Sequence, residues 1–154
     1  MKELIVGTPA FEHGGLIPIE NTGYGSDISP ELNLENIDQQ TISIAIIMDD
    51  LDHPIKRGYN HWVIWNIPVV HTIPANIPHG GTVESLSGAV QGNAYGKHRY
   101  RGPKPPFSWS HRYQFNVYTL DRLLDIPTAS KKRDLLKAME GHVLQHAVLI
   151  GHYR

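Results

Sequence analysis

Residues 42–48 set the pattern of this chain. Ile42, Ile44, Ile46 and Met48 alternate with Ser43 and Ala45, a period of two that predicts a largely buried strand. A second run places His61, Val63, Trp65 and Ile67 on one face and Trp62, Ile64 and Asn66 on the other. A third sets His111, Tyr113, Phe115 and Val117 against Arg112, Gln114, Asn116 and Tyr118. His111 and Tyr113 are therefore predicted to point the same way, and Arg112 to the opposite face, in a structural ion pair. Alternating aromatics in strands pack, so Trp62 and Trp65 read as core.

After Pro127 the period changes. Leu135, Leu136, Met139 and Val143 recur at helical spacing, with Lys131, Lys132 and Lys137 facing outward. Gly141 lies inside this pattern at a cost of ~1 kcal/mol relative to Ala, which predicts either close packing or a break. Residues 147–153 read as a last short strand. Between them, Pro68 to Gly102 is long, Gly-rich and weakly periodic, a kind of segment more often functional than idle. The sum is a mainly β chain, an antiparallel β-sandwich with a peripheral helix near its C-terminus.

At 154 residues the chain reads as a single domain, 1–154. No apolar run approaches the ~20 residues that cross a bilayer, and Met1 to Pro9 is too short an apolar start for a secretory leader. Cysteine is absent, so disulfides and thiolate chemistry are excluded, and the expected location is cytoplasmic. A net charge of −1 argues against a nucleic-acid partner, which needs a strong basic field. Lys97, Arg99, Arg101 and Lys104 nevertheless cluster locally, either as a solvated loop or as a basic rim beside an anion site.

Polar chemistry concentrates in two stretches. The first is Asp50-Leu51-Asp52-His53-Pro54, followed by His61-Trp62; the second is Gly102-Pro103-Lys104-Pro105-Pro106, followed by His111-Arg112-Tyr113. A carboxylate, two imidazoles and a phenol can grip a small polar head group, and prolines stiffen the loops around them. Asp50 is read as an acceptor for an imidazole or a ligand ammonium, Asp52 as the residue holding the turn, and Asp49 as a solvated neighbour. His142 and His146 lie at i, i+4, a zinc-capable spacing on a helix, but no third ligand accompanies them.

Those two stretches resemble the signatures of the phosphatidylethanolamine-binding proteins, also called Raf kinase inhibitor proteins, and most closely their bacterial and archaeal branch named after YbhB and YbcL. The family's Asp-Pro-Asp-Ala-Pro run is similar to residues 50–54, and its Gly-x-Pro-Pro and His-Arg-Tyr elements to residues 102–106 and 111–113. Gly15-Leu16-Ile17-Pro18, Gly92-Asn93-Ala94-Tyr95-Gly96 and residues 135–144 extend the resemblance over nearly the whole chain. Leu51 and His53 replace the family's inner Pro and Ala.

The resemblance implies a small-molecule binding protein with a shallow pocket for phosphate or phosphorylated, zwitterionic head groups, without cofactor, metal or catalysis. Asp50, His61, Pro105, Pro106, His111 and Tyr113 would contact the ligand. Asp52, His53, Pro54, Gly102, Arg99 and Arg101 would form the rim. It also implies a homodimer. Two other classes stand beside this one: a kinase or protease inhibitor acting through surface contacts, and a His/Asp-based, metal-dependent hydrolase. No serine, cysteine or threonine sits in an evident nucleophile motif, which sets the last reading behind.

Overall fold

A computed structural model describes residues 2–154. Nine strands form two antiparallel sheets. The smaller joins β1 (Ile5–Gly7), β2 (Leu32–Glu35) and β5 (Thr72–Ile73) in the order β1-β2-β5. The larger contains β3 (Ser43–Asp50), β4 (Tyr59–Ile67), β6 (Thr82–Val83), β7 (Ala89–Gln91), β8 (His111–Leu120) and β9 (Val143–Tyr153), ordered β6-β7-β4-β3-β8-β9. One helix, α1 (Lys132–Met139), precedes β9. The predicted sandwich with a peripheral helix is the architecture found.

All eight residues of β3 are buried because the large sheet is covered on both sides. Ile44, Ile46 and Met48 join Trp62, Ile64, Tyr113, Phe115 and Val117 in the core beneath the small sheet. Ala45 and Ile47 join Val63, Trp65, Leu135 and Met139 in a second core under α1. Both tryptophans are therefore core residues, one in each layer. A strand between two hydrophobic layers has no polar face, hence the continuous apolar run 44–48.

Two irregularities in β4 overrule simple alternation. Its register against β3 shifts between the pairs Ile46–Ile64 and Ile44–Ile67, and Asn66 there adopts a left-handed φ of 56°. Asn tolerates that conformation and uses its amide to clamp Leu124, donating to the Leu124 carbonyl and accepting from its N–H. Ile67 consequently leaves the predicted face of Val63 and Trp65 and packs in the inner core. A second shift separates Met48–Trp62 from Asp49–Asn60, making His61 an extra residue in the ladder.

The helix is shorter than its periodicity implied. It ends at Met139; Gly141 follows at φ +79°, and Val143 opens β9 instead of prolonging the helical face. Glycine permits that left-handed turn without steric cost. Of the two predicted meanings of Gly141, the break is the correct one. His142 and His146 thus share no helix: His142 pairs with Asp121, while His146 in β9 bonds Asn116 and stacks on Tyr118.

Candidate functional site

The two polar stretches end on neighbouring strands at one end of the large sheet. Asp50 closes β3, which lies between β4 carrying His61 and β8 carrying His111 and Tyr113. Asp50 pairs across the ladder with Tyr113. The extra residue in β4 brings the His61 ring to 5.4 Å from the Tyr113 ring, edge to face, although alternation had grouped it with Val63 and Trp65, which pack in the outer core. A bulge re-aims a side chain in just this way. The His111 and Tyr113 rings lie 6.3 Å apart, nearly parallel. Asp50, His61, His111 and Tyr113 therefore converge, and all four are buried.

Their hydrogen bonds assign distinct tasks. His111 donates from Nδ1 to Oδ2 of Asp50 at 2.8 Å, while Oδ1 of Asp50 accepts the Asp52 N–H at 2.9 Å. Each carboxylate oxygen accepts one bond, so Asp50 orients an imidazole. His61 donates from Nδ1 to the Arg101 carbonyl at 2.7 Å. This leaves Nε2 as its acceptor, with the Tyr95 hydroxyl 3.4 Å away. Burial holds the His61 pKa below its ordinary value, favouring that neutral form. Tyr113 is pushed the other way, its pKa raised by burial and then by the Asp50 charge, so its hydroxyl keeps its proton. Neither that hydroxyl nor Nε2 of His111 has a protein partner among the described residues.

Asp52 holds the first loop, as expected. It accepts the backbone N–H of Arg112 and two bonds from the Arg112 guanidinium, each 2.8–2.9 Å long. The Arg112 hydrogen bond lowers the Asp52 carboxyl to about 2. His53, in place of the family's alanine, accepts the N–H groups of Ile55 and Lys56 and packs on Tyr59 with ring centroids 4.5 Å apart. Tyr59 stacks in turn on Tyr95 at 4.6 Å, and the Arg101 guanidinium lies 4.2 Å from the centre of Tyr95. The run His53, Tyr59, Tyr95, Arg101 walls one side of the site. Pro54 is exposed in the loop beyond His53.

The second loop is anchored from the N-terminal segment. Pro105 is buried and its carbonyl accepts the Tyr24 hydroxyl at 2.6 Å; Pro106 is exposed and begins a turn closed by Trp109. Gly102 donates to Asp27, and a Cβ there would stand 2.2 Å from the Asn21 carbonyl oxygen, a contact only glycine avoids. Arg99 is not an open rim charge: it forms an ion pair with Asp27 and bonds the Tyr100 carbonyl. Of the basic cluster, Arg101 reaches the polar group.

Three structural participants escaped sequence reasoning. Tyr59 carries no local signal, and the turn 92–96 marks Tyr95 without revealing its partner, because only the folded chain stacks the two rings. Gln91 is fully buried, accepting from Trp62 Nε1 and donating to the carbonyls of Pro78 and Gly80. It thereby organises the Gly-rich segment that supplies Tyr95 and Arg101. Asp49, expected in solvent, is buried on the opposite face, where Lys132 Nζ reaches it at 2.7 Å and Asn60 donates to its other oxygen. Lys132 accordingly turns inward instead of outward.

Among the described residues no helix is long and apolar enough to cross a membrane. A profile of the phosphatidylethanolamine-binding protein family matches residues 7–154. A UPF0098 protein of Methanothermobacter thermautotrophicus is 46% identical over 149 residues, covering 96% of each chain. Another, from Pyrococcus abyssi, is 39% identical over 154 residues, covering 99% of this chain and 86% of its own. Among solved structures, CT736 of Chlamydia trachomatis, described as a PEBP homolog, superimposes with a TM-score of 0.88 at 31% identity, covering 100% of this chain and 99% of that one. YbcL of E. coli, described as a member of the mammalian PEBP family, gives a TM-score of 0.89 at 24% identity with 99% of both chains covered, a likeness of fold alone. With a family match across almost its whole length, this chain belongs to the phosphatidylethanolamine-binding protein family.

Proposed function

We propose that the site formed by Asp50, His61, His111 and Tyr113 binds small phosphorylated or zwitterionic head groups and performs no catalysis. One observation carries this reading: the Asp50 carboxylate sits behind His111 with each oxygen accepting one bond. A phosphate approaching the front of the site then meets the Tyr113 hydroxyl and the His111 Nε2 edge, with Arg101 alongside, rather than a bare carboxylate. A protonated His111 donates from that edge, its positive charge balanced by Asp50. Neutral His61 presents an acceptor, which suits an ammonium N–H or the P–OH of a monoanionic phosphate. A zwitterion satisfies both halves.

Titration calorimetry with O-phosphoethanolamine, inorganic phosphate and ethanolamine tests this. The phosphate-bearing compounds should bind with millimolar to micromolar affinity, about −4 to −8 kcal/mol, and ethanolamine alone more weakly. The absence of saturable binding of either phosphate compound would overturn the reading. The proposal includes a cytoplasmic location, supported by the absence of cysteine. It also includes a homodimer, supported by the partly exposed edge strand β9; a monomer mass by light scattering at micromolar concentration would remove the dimer.

A further inference from the structure

On the α1 side of the sheet lies a cavity of about 720 Å³, within the range of small-molecule pockets. Asn60 marks the division: it precedes His61 in β4 but faces Asp49 and Lys132 on the outer side. Three distant segments meet around the cavity: 56–60, 93–96 and 131–136. They bring Lys56, Arg57, Lys131, Lys132 and Arg133 into one concavity whose lining holds no Asp or Glu. A chain of net charge −1 thus gathers five of its 14 Lys and Arg residues there. Lys132 is neutralised by Asp49; among the described residues the other four side chains have no acidic partner. Like charges gathered in one concavity raise the local concentration of anions and favour a bound polyanion.

We propose that this groove is a second anion site, taking a compact small molecule that carries two or more phosphate groups. Four free cations exceed what a single phosphate can satisfy, and the two arginines can each grip a phosphate in a bidentate manner. The lining also says what the ligand lacks. Leu136 is its only large aliphatic side chain, so no lipid chain is accommodated. Tyr59 is covered by His53 and Tyr95, and Tyr95 by Tyr59 and Arg101, so a nucleobase finds no free ring on which to stack. The Tyr59–Tyr95 pair is the wall between the groove and His61.

Tripolyphosphate is the probe. At about 150 mM salt, where loose surface attraction is screened, it should bind saturably and perturb the amide NMR signals of Arg57, Asn93 and Arg133. Arg57→Glu combined with Arg133→Glu, both at exposed positions, should weaken that binding about tenfold or more without lowering the melting temperature or altering orthophosphate binding. His111→Ala should leave tripolyphosphate bound at the groove. Perturbations confined to residues 50, 61, 111 and 113, or affinity indifferent to the double reversal, would overturn the proposal. So would a polyglutamate peptide that saturates the groove while tripolyphosphate does not. If His111→Ala does not fold, the NMR map of the unaltered chain decides between the two sites.

Discussion

Asp50 and His111 form a buried pair, Oδ2 to Nδ1 at 2.8 Å, that joins the adjacent strands β3 and β8. A buried carboxylate needs such a partner, because an uncompensated one is expensive to desolvate. The bond also fixes the orientation of the His111 ring, with Nδ1 turned to Asp50.

His111→Ala should weaken binding of O-phosphoethanolamine by about 1.5–3 kcal/mol, the value of a hydrogen bond to a charged group. Asp50→Asn keeps the shape but loses the charge that orients and stabilises the imidazole, so it should weaken binding while leaving His111 in place. Calorimetric titrations superimposable on those of the unaltered protein would count against both roles.

The lowered pKa of His61 makes stability depend on pH. The unfolded chain takes up a proton at about pH 6.5, the ordinary histidine value, whereas the folded chain resists until lower pH. Between those two values the unfolded state binds more protons. Stability from this group is therefore complete above about pH 6.5 and falls as pH drops through the window. His146, shifted the same way, adds to the slope. In denaturant titrations from about pH 5 to 7.5, His61→Gln should show a shallower loss than the unaltered chain. Equal slopes would sink this assignment.

Lys132→Met should remove the cation that compensates buried Asp49. Since Lys132 is partly exposed, the expected loss is about 1–3 kcal/mol. Asp49→Asn in the same chain should recover part of it, because Asn60 and the neutral amide still pair. A denaturation midpoint unmoved by Lys132→Met would show that water already satisfies Asp49.

Gly92→Ala tests the packing behind the Tyr95 turn. A Cβ there would lie 2.5 Å from the Trp65 ring and 2.6 Å from the Ser130 carbonyl oxygen. Neither can retreat without moving the outer core, so roughly 1–3 kcal/mol of stability should be lost. Weaker phosphate binding should follow, since Tyr95 lies beside His61. A variant as stable as its parent would mean that the turn yields more readily than this packing implies.

The basic stretch 97–104 divides into two functions. Arg101→Glu should slow association with a phosphorylated ligand, most strongly at low salt, because its guanidinium sits on the site wall. Arg99→Glu should instead destabilise the loop by meeting Asp27 with a like charge. Stopped-flow association rates and melting temperatures separate the two; identical behaviour of both variants would contradict the division.

Much of this molecule follows from sequence alone, for local reasons. Alternation along 43–48 and 111–118 places residues on faces, because successive strand side chains point oppositely, whereas Ile42, expected in the buried strand, lies before β3 and is exposed. Alternation correctly joined His111 to Tyr113 and sent Arg112 to the opposite face, where the structure supplies Asp52 as its partner. The ordered signatures 50–54 and 102–113 carry the family, and glycine at 141 carries a break that only glycine makes cheaply. Other features depended on long-range pairing. His61 faces Tyr113 only because β4 holds one more residue than β3 at that point, and a register shift leaves no mark on periodicity. Asp49 is buried because α1, more than 80 residues later, lays Lys132 over it. Arg99 is occupied because Asp27, 72 residues earlier, reaches it. Charges attract whatever the folded chain brings near, so their partners belong to the tertiary structure.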